Sequence, residues 1–200
     1  NEAINLVGDY DDEILNQSTG RIVGGVSMGG GNDRMNNSGS IVATGGSAID
    51  MGAGNDWLWL YAGPNSKVDG PILLGAGNDL VFSTADSAFV IDGGDGNDEM
   101  YISGYTGGDD TLSGDAGDDR IYAGLGEDRI DGGADNDSLY GEAGDDLIEG
   151  GTGDDTIDGG ADDDVIYGGE GTDILIGGLG NDTIKGAADS DTFLIQAIGD

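Results

Sequence analysis

The chain has 200 residues, with 41 Asp and Glu against six Lys and Arg, so its formal net charge is −35. It contains no Cys and no His, which excludes disulfides, thiolate metal sites and catalysis by a Ser-His or Cys-His pair. Nucleic-acid binding and membrane insertion are not expected, because basic residues are few and no apolar run approaches the length of a membrane span. Gly is abundant at 43 residues while Pro occurs only twice, which excludes collagen.

The first hundred residues carry a spaced Gly-Asn-Asp motif instead of a strict period. Its aspartates, with a less typical one at the start, are separated by steps of 21, 23, 23 and 19 residues: Asp12, Asp33, Asp56, Asp79 and Asp98. Longer and less acidic segments lie between them, among them 40–43, 71–74 and 88–91. Residues 1–104 therefore predict irregular coils of 19–23 residues with an acidic turn on one edge only.

A strict nine-residue repeat fills residues 105–194. The sixth residue of every repeat is Asp, at ten positions: Asp110, Asp119, Asp128, Asp137, Asp146, Asp155, Asp164, Asp173, Asp182 and Asp191. Two residues after each of them stands a large apolar residue, from Leu112 in the first repeat to Phe193 in the last. This register predicts a turn followed by a short strand whose central residue faces inward.

One repeat explains what the acidic groups are for. In 150–158, the first six residues are rich in Gly, which permits a tight turn with accessible carbonyl oxygens, and they end in a carboxylate. Such a unit buries nothing alone, whereas stacked units form one apolar column. Two repeats make a coil of 18 residues, so aspartates 18 apart lie in adjacent coils about 4.8 Å from one another. Carboxylates at that spacing repel unless a hard dication lies between them, and carboxylate plus carbonyl oxygens suit Ca²⁺.

These repeats closely resemble the RTX (hemolysin-type) calcium-binding nonapeptide, Gly-Gly-x-Gly-x-Asp-x-U-x, in which U is large and apolar. The resemblance implies an all-β, right-handed parallel β-helix or β-roll and secretion by a one-step (type I) route. It also implies folding outside the cell, where calcium is plentiful. Three repeats depart from the consensus because Asp replaces the fourth-position Gly, at Asp135, Asp162 and Asp189. Asp115 and Glu142 stand at the second position.

Every second aspartate of the run continues the series from the first half. We therefore predict one solenoid of about ten coils with two columns of turns. The first column comprises Asp12, Asp33, Asp56, Asp79, Asp98, Asp119, Asp137, Asp155, Asp173 and Asp191, and the second Asp110, Asp128, Asp146, Asp164 and Asp182. Calcium turns then lie on one edge in residues 1–104 and on both edges in 105–194, with a tail at 195–200. The gaps between turns set a ceiling of about thirteen ions, and we expect roughly 8–12.

An aromatic residue follows three positions after five successive first-column aspartates: Trp59, Phe82, Tyr101, Tyr122 and Tyr140. Trp57 and Tyr61 flank the first of them on the same side of its strand. We expect these side chains to point outward as a ladder. Three interpretations stay open: an intramolecular stack that shields the sheet, a contact with an adjacent domain or a second copy, and a platform for a cell-surface polysaccharide.

The sequence thus predicts a calcium-dependent structural module of a secreted protein, with a role in stiffening, adhesion, surface-layer assembly or self-association. The alternative is an accessory module of a secreted polysaccharide-active enzyme of the lyase or epimerase type. We expect no catalysis in this chain, because nearly every clustered Asp already has a metal role. Ice binding is disfavoured, because the outward seventh-position column mixes Thr with Arg, Leu, Val and Ile.

Overall fold

A computed structural model describes residues 3–63, 66–105 and 107–194. The described residues form strands, turns and bends, and among them no helix could serve as a membrane span. The strands in chain order are β1 (Ile4–Asn5), β2 (Glu13–Asn16), β3 (Arg21–Val23), β4 (Val26–Ser27), β5 (Arg34–Asn37), β6 (Ser40–Val42), β7 (Ile49–Ala53), β8 (Trp57–Leu60), β9 (Lys67–Asp69), β10 (Ile72–Ala76), β11 (Leu80–Ser83), β12 (Val90–Asp95), β13 (Glu99–Ile102), β14 (Thr111–Ala116), β15 (Arg120–Leu125), β16 (Arg129–Ala134), β17 (Ser138–Ala143), β18 (Leu147–Thr152), β19 (Thr156–Ala161), β20 (Val165–Glu170), β21 (Ile174–Leu179), β22 (Thr183–Ala187) and β23 (Thr192–Leu194).

The strands stack into two parallel sheets of ten strands each. The first sheet has the order β1-β4-β7-β10-β12-β14-β16-β18-β20-β22, and the second β2-β5-β8-β11-β13-β15-β17-β19-β21-β23. Each coil contributes one strand to each sheet, and every neighbouring pair runs in the same direction. The predicted parallel β-solenoid of about ten coils is therefore confirmed.

The beginning of the solenoid has a third side. Strands β3, β6 and β9 form a separate three-stranded parallel sheet, so the first three coils are three-sided and later coils are two-sided. Segment 40–43, expected as a substitute for a turn, contains β6 of this extra sheet. The segments at 71–74 and 88–91 instead run into β10 and β12 of the first sheet. The longer coils of the first half are long because they accommodate another strand or a connecting loop.

The core is a double file of apolar side chains between the two sheets. Residues in register from coil to coil are of similar size, as in the sequence Ile130, Ile148 and Ile166 along the first sheet. These three, and the apolar residues of the same repeat position from Leu112 to Leu175, are fully or almost fully buried. Phe193, in the last described coil, is 49% exposed, because no later strand among the described residues covers it. The inward direction predicted for this position is thus confirmed for the coils that have neighbours on both sides.

Close stacking at the turns explains the high Gly content. Gly54 has a φ of 136°, and Gly77, at the same place in the next coil, has a φ of 137°. A Cβ at Gly77 would collide with the carbonyl oxygen of Gly54, and one at Gly54 with that of Gly31. Since an L residue reaches such backbone angles only with strain, Gly is needed for both conformation and space.

Candidate metal centre

The first-column aspartates form a continuous ladder along one edge of the solenoid. In each step, the backbone N–H of one aspartate donates to the side-chain Oδ1 of the aspartate in the next coil, at 2.7 to 3.2 Å. The ladder joins Asp12, Asp33, Asp56, Asp79, Asp98, Asp119, Asp137, Asp155, Asp173 and Asp191. All ten aspartates of the predicted column therefore align, although they were 18 to 23 residues apart in sequence.

The second-column aspartates form a shorter ladder on the opposite edge. It joins Asp110, Asp128, Asp146, Asp164 and Asp182 by the same type of hydrogen bond. At its start, Asp110 Oδ1 accepts from the N–H of Phe89 at 2.6 Å, and the side chain of Phe89 is buried. Phe89, one coil before Asp110, thus occupies the position that an aspartate has in each later coil of this column.

The second carboxylate oxygen of these aspartates has no protein partner. The Oδ2 atom is buried and without a hydrogen bond in eleven of them: Asp33, Asp56, Asp79, Asp98, Asp119, Asp128, Asp137, Asp146, Asp155, Asp164 and Asp173. A buried ionised oxygen without a partner is strongly unfavourable, so a native protein that retains a series of them requires an explanation. The four other column aspartates, Asp12, Asp110, Asp182 and Asp191, lie at or next to the ends of their ladders.

In the regular repeats that begin with Gly and contain one of these aspartates, a main-chain carbonyl lies beside the Oδ2 atom. A Cβ built on Gly150 would collide with both Asp155 Oδ2 and the carbonyl oxygen of Gly168 in the next coil. The same holds for Gly132, which lies against Asp137 Oδ2 and the carbonyl of Gly150. Gly at the first repeat position therefore leaves open a space lined by a carboxylate and a carbonyl oxygen of adjacent coils.

The donor set is hard and consists of oxygen atoms. No three acidic side chains converge on one point in the part of the chain that the structure describes. A cation at the turns must therefore take the rest of its ligands from main-chain carbonyls. Carboxylate and carbonyl ligands in flexible loops suit Ca²⁺ better than a transition metal, so these residues fit calcium.

A second ladder, which the sequence reasoning missed, flanks each column. The residue before the aspartate accepts through its side-chain Oδ1 from the N–H of its counterpart in the following coil, at 2.7 to 3.2 Å. In the first half these residues are Asp11, Asn32, Asn55, Asn78 and Asn97. Their bonds run opposite to those of the aspartate ladder, so adjacent coils are tied in both directions. The recurring Gly-Asn-Asp was the available signal.

Burial shifts the titration of the column aspartates. Desolvation, the largest cause, raises the pKa of Asp98 and Asp137 to about 8, and hydrogen bonds from backbone N–H groups oppose it only partly. The same cause raises the pKa of Asp146 to about 7 and of Asp155 to about 6. Neighbouring carboxylates of the same column add repulsion, as Asp173 does at Asp155. Without a cation, the columns are therefore electrostatically strained at neutral pH.

The predicted aromatic residues lie in register, and part of them stack. Tyr101, Tyr122 and Tyr140 form parallel pairs with ring centroids 5.1 and 4.4 Å apart. Their ring faces cover each other, so these rings offer their edges to the solvent. At the other end, Trp57 meets Trp59 edge to face at 5.4 Å, and the guanidinium of Arg34 lies 4.9 Å from the Trp57 ring centroid. The exposed members are Trp57, Tyr61 and Phe82, each 39 to 40% exposed.

Fold and turns together define a calcium-binding parallel β-roll. The family model of the RTX calcium-binding nonapeptide repeat matches in four copies, at residues 90–101, 105–139, 140–175 and 167–194. The matches span about half of the chain, and the protein belongs to this family. Its repeats bind several calcium ions per array, are typically non-catalytic and are characteristic of secreted bacterial proteins. No curated protein and no solved structure gives a significant match.

The raised pKa values predict opposite pH responses with and without calcium. A carboxyl whose pKa is raised in the folded state stabilises the metal-free fold fully when the pH is below 3.8, the pKa it has in the unfolded chain. This stabilisation is lost as the pH rises through the folded-state pKa values of about 6 to 8. We therefore expect more β structure in EDTA at about pH 5 than at about pH 8, measured by far-ultraviolet circular dichroism. Calcium affinity should fall over the same window as pH decreases, because protons compete for the carboxylates. A calcium midpoint that does not change with pH would contradict this assignment.

Proposed function

We propose that the column aspartates are the calcium ligands of this chain and that calcium binding drives its folding. The proposed ligands are the fifteen residues of the two columns from Asp12 to Asp191. The observation that carries the proposal is the series of eleven buried Oδ2 atoms without a partner. Bound calcium would neutralise these carboxylates and link carboxylate to carbonyl across adjacent coils.

The number of ions follows from the turns. Nine gaps in the first column and four in the second give a ceiling of about thirteen, and weak end turns lower it to roughly 8–12. The eleven unpartnered oxygens support a number in this range. Calcium turns on one edge before residue 105 and on both edges after it agree with the place where the second ladder begins, at Asp110.

Electrostatics supports folding after export. At a net charge of −35, the metal-free chain repels itself, and burial of the columns adds a desolvation cost. Ion binding that requires the folded turns contributes directly to the free energy of folding. A cell interior with little free calcium would then keep the chain unfolded, and an extracellular medium would fold it. This coupling supports secretion by a type I route.

The role outside the cell is structural on this proposal. Ten coils at about 4.8 Å each give a rod about 48 Å long, suited to stiffening, adhesion, surface-layer assembly or self-association. In the alternative, the same rigid rod would serve as an accessory module of a secreted polysaccharide-active enzyme. A glycan platform gains little support, because sugars stack on ring faces and the tyrosines cover theirs with one another.

The central experiment is metal-dependent folding. We expect a largely unfolded far-ultraviolet spectrum in EDTA at about pH 8 and a cooperative gain of β structure with millimolar Ca²⁺. Magnesium at the same concentration serves as the control and should give much less structure, because it demands a small octahedral site. A full β signal in EDTA would refute calcium-driven folding.

A matched pair of variants tests the ligand assignment. Asp155→Asn keeps the size of the side chain and the acceptor for the Asp137 N–H but removes the charge from the buried oxygen. We expect calcium binding at the turn to weaken by about tenfold or more, measured by isothermal titration. Asp158→Asn removes the same charge from the outer face of the same strand and should change the affinity little. Equal losses of calcium affinity in the two variants would contradict the ligand assignment, because they would indicate only a general effect of net charge.

The exposed aromatic residues support a contact with a second copy or an adjacent domain. Trp57, Tyr61 and Phe82 present exposed apolar surface, and Arg34 lies against the ring of Trp57. Tyr101, Tyr122 and Tyr140 are half-buried in their stack. Trp57→Ala should lower self-association in sedimentation experiments and leave the calcium midpoint unchanged. Val90→Ala, at an exposed position of the other sheet, is the control. If sedimentation of the wild type shows only monomer, an adjacent domain remains the expected partner and a second copy is ruled out.

A further inference from the structure

The outer face of the second sheet carries little charge, although the chain is strongly acidic. Six successive strands, β5, β8, β11, β13, β15 and β17, each direct two side chains outward, one on either side of a buried apolar residue. We call this surface the aromatic face, and its twelve residues are Arg34, Asn36, Trp57, Trp59, Leu80, Phe82, Glu99, Tyr101, Arg120, Tyr122, Ser138 and Tyr140. Two Arg against one Glu give it a net charge of +1, whereas the whole chain has −35.

The rest of the rod repels a second copy more strongly. The outer face of the first sheet carries Asp50, Asp92, Asp131 and Glu149 against Arg129. Each edge also carries a ladder of aspartates in the regular half. Two rods with this distribution repel each other in most orientations. The aromatic face is a side on which that repulsion is small, so two copies can approach each other there.

The rings of the aromatic face are fixed by their own contacts. Tyr101, Tyr122 and Tyr140 stack with centroids 5.1 and 4.4 Å apart, so their side chains have little freedom left to lose when a partner docks. Trp57 and Phe82 remain 40 and 39% exposed in the neighbouring coils and offer apolar area that a partner can cover. The face is therefore preorganised and partly apolar, as protein interfaces commonly are.

Two opposite charges lie side by side within the aromatic face. Glu99 and Arg120 are register partners in adjacent strands, and both are exposed. The hydroxyl of Tyr101 donates to Glu99 Oε2 at 2.7 Å and so orients this carboxylate. The part of the chain that the structure describes has its ion pairs elsewhere, at Lys67–Asp69 and Arg129–Glu149. A two-fold axis between strands β13 and β15 would place each Arg120 opposite Glu99 of the second copy, so the face is complementary to itself.

We propose that the aromatic face joins two copies of this chain face to face, with two reciprocal Glu99–Arg120 ion pairs at the centre and the rings packed around them. The inference rests on the proposed function, because calcium-driven folding brings the six strands together, and it deepens that function by naming the partner as a second copy. Six coils about 4.8 Å apart and strands about 13 Å long give a face of roughly 400 Å² per copy, about half of a usual stable interface. The dimer is therefore reversible, with a micromolar dissociation constant.

Exchanging the charges tests the reciprocal pairs. Arg120→Glu places two carboxylates opposite each other at both pairs, and Glu99→Arg places two guanidinium groups there. A 1:1 mixture of these variants restores opposite charges, and so does the double variant with both changes. Arg129→Glu is the matched control, because it makes the same charge change one residue after a column aspartate but on the outer face of the first sheet. Sedimentation in millimolar calcium measures dimerisation, and circular dichroism measures the calcium midpoint of folding.

We expect each single variant to dimerise about tenfold more weakly than the wild type, and both the mixture and the double variant to recover the wild-type constant. Arg120→Gln removes the charge without adding repulsion and should weaken the dimer less. The calcium midpoint should equal that of the control in every variant. A folded wild type that stays monomeric or grows beyond a dimer, a mixture that does not recover, or a control that weakens the dimer as much as Arg120→Glu would each refute the inference. A wild-type chain that does not fold with calcium would instead overturn the proposed function.

Discussion

Each regular coil of this solenoid holds a carboxylate oxygen out of water, beside a carbonyl oxygen of the next coil, where no protein donor reaches it. The rest of the molecule depends on that arrangement. The two oxygens repel, and burial raises the pKa of Asp155 to about 6 and that of Asp137 to about 8. At neutral pH the protein contacts alone leave these carboxylate oxygens without a compensating group, and the proposed calcium ions would supply the opposite charge. In the regular half, each inner strand buries one large apolar side chain, so the core beside these carboxylates is narrow.

The hydrogen bonds along the turns are compatible with a cation site at each turn. The aspartate ladder uses one carboxylate oxygen for the N–H of the preceding coil, and in eleven of the fifteen aspartates the other oxygen is buried without a protein partner, where the proposed calcium would bind. The flanking Asn and Asp ladder runs in the opposite direction and fixes the same turn from outside. In the folded chain, these backbone donors orient each carboxylate toward its turn.

The two halves of the rod use the same column in different ways. In the first half, Asn precedes the aspartate at Asn32, Asn55, Asn78 and Asn97, so the flanking ladder adds no charge at these four turns and carries a charge only at Asp11. The opposite edge has no ladder of aspartates there and is built from the extra sheet of β3, β6 and β9 and from a buried Phe89. The second half has acidic ladders on both edges and the three extra carboxylates at the turns. On the proposed assignment, dependence on calcium is strongest in the regular half, while the N-terminal half combines a single aspartate ladder with an exposed aromatic surface.

The sequence alone determined the period, the inward direction of the apolar residues and the membership of both aspartate columns. It could do so because a repeated turn places the same repeat position at the same place in every coil, even where the coils differ in length. It also predicted the aromatic register, since side chains alternate strictly along a strand. Only the tertiary structure decided that the first coils are three-sided, that one carboxylate oxygen per turn is left without a partner, and that Asn and Asp ladders run in opposite directions. Those features depend on how closely successive coils approach and on which oxygen faces which carbonyl, and these are distances between residues of different coils that no local pattern encodes.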